Sequence, residues 1–109
     1  MKKKLLFLFL PLLSSCFKNS SHLISYELDG TSNSYEISYF DESGDSIHID
    51  DVTNTWRQEF TSDKDGTAKL RVRNRNKSGT ATGYIYCDEK LTKQQTVGAG
   101  DSLQIEVKY

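Results

Sequence analysis

The chain has 109 residues, with 14 Lys+Arg against 15 Asp+Glu and a formal net charge of −1. That length supports one domain, and a balance so close to neutral excludes a strongly basic nucleic-acid binder. Two cysteines are too few for a disulfide-dense scaffold, while 6 tyrosines and 5 phenylalanines supply aromatic bulk for a core. First in chain order come the basic head Met1-Lys2-Lys3-Lys4, an apolar run over residues 5–13, and the small residues Ser14 and Ser15. These are the parts of a secretory signal peptide. Nine helical residues span about 14 Å against roughly 30 Å of bilayer hydrocarbon, too short for a transmembrane anchor.

The stretch Leu13-Ser14-Ser15-Cys16 resembles the lipobox of bacterial lipoproteins. The resemblance implies cleavage before Cys16 and a diacylglycerol thioether on its sulfur. Losing Lys2, Lys3 and Lys4 with the signal would take the net charge from −1 to −4. One acyl chain holds a protein marginally and two hold it firmly, so attachment through covalent lipid on Cys16 is expected, with no other cofactor and no metal. Residues 17–22 read as a tether reaching roughly 20 Å when extended. The expected organisation is a signal peptide at 1–15, lipidated Cys and tether at 16–22, and a folded domain at 23–109. Phe17 follows the Cys, with neither the Asp of inner-membrane retention nor the acidic cluster of surface export. The expected location is therefore the bacterial envelope, on the periplasmic face of an outer membrane.

Beyond residue 22 the apolar residues recur with period two and no helical period survives. Tyr26 and Leu28 lead to Gly30; Tyr35, Ile37 and Tyr39 lead to an acidic turn at 41–45; Ile47 and Ile49 flank His48. Trp56, Gln58 and Phe60 end at Asp63-Lys64-Asp65-Gly66, which lacks the ligands of a calcium loop and reads as a hairpin turn. Ala68, Leu70 and Val72 end at Asn76-Lys77-Ser78-Gly79; Gly83, Ile85 and Cys87 end at Asp88-Glu89-Lys90. A weak strand over 92–97 and a last one through Leu103, Ile105 and Val107 close the chain. Short strands at such regular spacing predict an all-β, antiparallel β-sandwich of about 7–8 strands.

Several weak motifs in fixed order carry a family resemblance. They are Tyr26-Glu27-Leu28-Asp29-Gly30-Thr31, Ile37-Ser38-Tyr39-Phe40-Asp41 with Gly44, Thr55-Trp56-Arg57 with Phe60, and residues 79–85 followed by the turn at 88–91. Over residues 26–107 their order resembles the extracytoplasmic domain of the mycobacterial membrane protein small (MmpS) family. The resemblance implies an immunoglobulin-like sandwich with Trp56 between its sheets, and an accessory role beside a lipid-exporting transporter. Two departures stand out. The family's transmembrane helix is replaced by lipidated Cys16, and a cysteine that many members carry is Gly83 here, its C-terminal partner also missing.

The most conspicuous charge feature is the row Lys69, Arg71, Arg73, Arg75. If residues 76–79 form a hairpin turn, Arg73 faces Thr82, Arg71 faces Tyr84 and Lys69 faces Tyr86. The same register sets Val72 against Gly83, Leu70 against Ile85 and Ala68 against Cys87. One face of cations and tyrosines follows, read either as solvated sheet surface or as a docking stripe for an acidic partner or lipid headgroups. Tyr84 and Tyr86 with Phe40 make the alternative, a platform for glycans or lipids. Cys87 reads as a small core residue, because Asp88 and Glu89 oppose thiolate formation. The acids Asp41, Glu42, Asp45, Asp50 and Asp51 read as solvated loop residues, the alternatives being to gather a divalent cation or to pair with the arginine strand. His48 with Asp50 and a nearby Ser does not make a triad, and no hydrolase, metalloprotease or nucleotide-binding motif occurs. The sequence thus predicts a non-catalytic, membrane-anchored binding module for an envelope or transporter protein.

Overall fold

The computed structural model describes residues 21–32, 34–53 and 55–109; the signal segment, Cys16 and the tether to residue 20 lie outside them. The eight strands are β1 His22–Gly30, β2 Tyr35–Phe40, β3 Ser46–Val52, β4 Trp56–Ser62, β5 Thr67–Asn74, β6 Ala81–Cys87, β7 Lys90–Val97 and β8 Ser102–Lys108. His22, read as the last tether residue, opens β1 and pairs with Ser62. All pairings are antiparallel, in two four-stranded sheets: sheet A runs β4-β1-β6-β7 and sheet B runs β3-β2-β5-β8. This is the all-β sandwich the periodicity predicts. Among the described residues no helix is long and apolar enough to cross a membrane.

Alternation decides which residues form the core. Sheet A turns Ile24, Tyr26, Leu28, Ala81 and Ile85 inward; sheet B contributes Tyr35, Ile37, Tyr39, Leu70, Val72, Leu103 and Ile105. Each fully buried Leu or Ile is worth about 1.5–3 kcal/mol relative to exposure. Trp56 is only half-buried, its ring 5.5 Å from Tyr39 at the margin of the core. Gly83 sits where the sheets approach closely: a Cβ there would lie 2.9 Å from Leu103 Cδ1 and 3.1 Å from Leu70 Cδ2. Glycine at this position therefore has a packing reason.

Only two connections stay within a sheet, β2–β3 and β6–β7; the other five cross between sheets. The β6–β7 hairpin turns on Asp88 and Glu89, both at positive φ (52° and 68°), as a two-residue turn of matching twist requires. At the β2–β3 turn, Asp41 Oδ1 accepts from the Ser43 and Asp45 amides at 2.9 and 3.0 Å. Residues 63–66 are not a hairpin turn, because β4 and β5 lie in different sheets. Gly66 instead exchanges two 2.9 Å backbone hydrogen bonds with Tyr109.

The expected β5–β6 hairpin is likewise an arch between sheets. β5 pairs with β2 and β8, while β6 pairs with β1 and β7. The reason lies at Asn74, which is fully buried and faces inward at the end of β5. Its Nδ2 donates to Gly79 O at 3.3 Å, and its Oδ1 accepts from Asn76 N at 3.1 Å and Asn76 Nδ2 at 2.8 Å. The Asn76 side chain also accepts from Ser34 N and donates to Ser34 O. These bonds satisfy the polar groups of the crossing, where a tight hairpin would leave a buried amide unpartnered.

Tyr26 links the two sheets by hydrogen bonds. The buried Tyr26 hydroxyl of sheet A donates to Phe40 O at 2.7 Å and accepts from Lys69 N at 3.2 Å. Continuing the β2–β5 register of Tyr39 with Leu70 would pair Phe40 with Lys69. The hydroxyl stands in that next rung. Burial drives the Tyr26 phenol well above the ordinary tyrosine range, because its anion would be desolvated. Tyr26→Phe should therefore cost about 1–3 kcal/mol by orphaning two backbone groups, read as a lower denaturation midpoint with an unchanged slope. The linkage has a definite sign. The folded pKa is raised, so the stabilisation is complete below pH about 10 and drains away as the unfolded tyrosine ionises above it. Alkaline unfolding should be shallower in Tyr26→Phe.

Candidate functional site

Sheet B presents its outer face through β3, β2, β5 and β8. Lys69, Arg71 and Arg73 share the outward side of β5 and extend over about 13 Å. Their neighbours follow from register. Glu36 and Ser102 flank Arg73, Ser38 and Gln104 flank Arg71, and Glu106 flanks Lys69. The Lys69 ammonium lies 5.4 Å from the centroid of the Phe40 ring. Among the described residues, Lys69, Arg71 and Arg73 make no ion pair, whereas Arg75, beyond the end of β5, binds Asp51 at 2.7 Å. Two adjoining clefts open beside the row, sharing Ser38 and Arg71; one reaches Phe40, Ser46 and Gln104, the other Glu36, His48 and Arg73.

Tyr84 and Tyr86 are not on this face. They project from the outer side of β6 in sheet A, across the sandwich from the cations. The sequence reading joined the two sets because both strands alternate in phase, and alternation is equally satisfied by strands side by side or face to face. The tyrosines stack with centroids 6.1 Å apart, and the Arg57 guanidinium lies 5.8 Å from the Tyr86 ring. Arg57 also meets Glu27 at 3.4 Å and Glu59 at 3.3 Å, so the charge of this face is locally neutralised. Burial, then the Glu27 carboxylate, raises the Tyr86 phenol above its ordinary value. Exposed Leu91 pairs with Tyr86 across β6 and β7. Phe40, grouped with these aromatics in the sequence reading, belongs to sheet B.

The β2–β3 hairpin joins His48 and Asp50, set aside as a triad on sequence grounds, to Ser38 and Glu36. Ser38 faces His48 in register, and Ser38 Oγ lies 2.9 Å from His48 Nδ1. On the other side of the ring, Nε2 lies 3.0 Å from Glu36 Oε2 and 3.2 Å from Asp50 Oδ1. A pairing irregularity between Tyr35 and Ile37 places Asp50 and Asp51 both outward before Val52 returns to the core. Asp51 takes the left-handed conformation this needs, at φ 56°. The chain of contacts from Ser to His to carboxylate is that of a hydrolase triad. Ser38, however, sits mid-strand with β3 on one side and β5 on the other, its backbone engaged in both ladders. Alternation on a short hairpin could have signalled this group: Glu36 and Ser38 share one side of β2, His48 and Asp50 one side of β3.

Cys87 is partly buried and packs against the core. Burial pushes its thiol up, a hydrogen bond with Thr92 pulls back, and the Asp88 carboxylate adds to the rise. That is the environment of a packing residue rather than of a nucleophile.

No protein-family model matches the chain, and no curated protein matches it. Two outcomes follow from the geometry. Replacing Arg71 and Arg73 together by Gln should move unfolding free energy by no more than about 0.5 kcal/mol, since exposed, unpaired cations hold nothing together. Alkylation of Cys87 in the native protein should show a pH midpoint above that of a free cysteine, falling to the ordinary value in urea.

Proposed function

We propose that the protein is a non-catalytic lipoprotein of the bacterial envelope, anchored by lipid on Cys16, that docks an acidic protein partner on the outer face of sheet B. The observation that carries this reading is the row Lys69, Arg71 and Arg73, unpaired along one strand beside two clefts. In a chain whose charge after cleavage would be −4, cations left without acids form a concentrated patch of the minority sign. Such a patch steers association and selects partners of opposite charge. A tether of roughly 20 Å would hold this face near the bilayer, as suits an accessory to a transporter of the kind the MmpS resemblance implies. Attachment on the periplasmic side of an outer membrane is part of the same proposal.

The aromatic pair of sheet A supports a second reading, a glycan- or lipid-binding module. Stacked Tyr84 and Tyr86 beside exposed Leu91 offer an apolar surface with polar tips. The two readings use opposite faces, so variants separate them. Cross-linking the native lipoprotein in intact envelopes should capture a protein partner, and Arg71→Glu with Arg73→Glu should abolish the capture. Retention by the purified partner should fall steeply with added salt. Capture that survives the charge reversal, or that is lost only in Tyr84→Ala with Tyr86→Ala, would remove the cation row from the function. Cys16→Ser should eliminate palmitate labelling and release the chain from the membrane fraction.

A further inference from the structure

His48 gathers two carboxylates at one ring nitrogen and a hydroxyl at the other. Its Nε2 lies 3.0 Å from Glu36 Oε2 and 3.2 Å from Asp50 Oδ1, and all three donor atoms lie within 4.8 Å of one another. A neutral ring with its hydrogen on Nε2 can donate to these oxygens, and with the hydrogen on Nδ1 the same three atoms converge as ligands. Donors around a divalent ion at about 2.1 Å stand roughly 3.0–3.4 Å apart, the spacing His48 Nε2 keeps from both oxygens.

We propose that Glu36, His48 and Asp50 form a binding site for a borderline divalent transition-metal ion, with Zn2+ the best fit to one nitrogen and two oxygens. The support around the trio is of the kind such sites need. When Nε2 coordinates, Nδ1 carries the ring hydrogen and donates it to Ser38 Oγ at 2.9 Å, which sets the tautomer and the ring plane. The ligands rise from adjacent strands of one hairpin, which hold them more rigidly than loops would. His48 and Asp50 are exposed and Glu36 is half-buried, so the ion keeps positions open to solvent. Arg71 and Arg73 share the cleft with Glu36 and His48. They oppose the cation's charge but favour an anionic group completing its coordination. The site uses none of the docking cations as ligands and stands independently of the proposed function.

The test is equilibrium dialysis of Zn2+ against the full lipid-modified chain in detergent, after chelator treatment, with side-chain NMR of His48. One Zn2+ per chain should bind saturably and shift the His48 Nε2 resonance. His48→Gln and Asp50→Asn should each weaken binding by roughly tenfold or more, and Ser38→Ala by about tenfold. His22→Gln and Cys87→Ser should leave it unchanged, and millimolar Mg2+ should not displace the ion, because Mg2+ selects oxygen ligands. All these positions but Cys87 lie outside the core, and circular dichroism would confirm that each variant folds. Binding equal to wild type in His48→Gln would overturn the site. So would a His48 ring that keeps a hydrogen on Nε2 with Zn2+ in excess, which would leave the trio a hydrogen-bonded cluster.

Discussion

The Tyr26 hydroxyl makes directional contacts between two sheets that apolar packing brings together, as the Tyr35 hydroxyl does beside β6, where it donates to Thr80 O. Burial of Ile24, Leu28, Leu70, Val72 and Leu103 brings the sheets together, but that attraction has no preferred lateral position. A hydrogen bond donated to Phe40 O and another accepted from Lys69 N leave the phenol little freedom. They also reach through sheet B. Phe40 and Lys69, whose backbones the hydroxyl joins on the inside, are the residues whose side chains meet as cation and ring on the outside. The inner contact thereby sets the position of the first cation of the outer row.

Crossing connections make the two outer faces chemically different. With five connections passing between sheets, strands adjacent in sequence mostly end on opposite layers. Arg57 in β4 meets Glu27 from β1 and Glu59 from its own strand, and sheet A becomes a neutralised face with stacked tyrosines. β5 sends its cations to the other layer, between β2 and β8, whose outward residues include serines, glutamine and too few acids to pair each of them. In the β2–β3 hairpin, Glu36 meets His48 rather than Arg73. Unpaired charge on sheet B is thus a product of topology as well as of composition.

Much of this fold is legible in the chain. Every strand but the exposed β7 is announced by inward residues two apart, and the turns at 41–45 and at Asp88 and Glu89 carry the acids and positive-φ positions that tight turns need. What misleads is the arch after β5. Asn76-Lys77-Ser78-Gly79 has the composition of a hairpin turn, and the expected register matches apolar to apolar along both strands. The two strands do meet, but across the core and out of that register, as Gly83 against Leu70 shows. The amide of Asn74 was the available signal, a polar residue in an inward position that must find partners in the chain crossing over it. The Glu36, Ser38, His48 and Asp50 group was equally legible once the 41–45 turn is read as a hairpin.

The opening balance of 14 basic and 15 acidic residues says nothing of where those charges go. The sequence by itself determined which side chains point inward, because in a strand facing is a local property with a period of two. It determined where the strands begin and end for the same reason, though not which turns stay within a sheet. Only the tertiary structure decided which strands are neighbours, placing the cations of β5 and the tyrosines of β6 on opposite faces. Neighbourhood depends on contacts between distant segments, and a buried tyrosine hydroxyl and a buried asparagine amide settle it here.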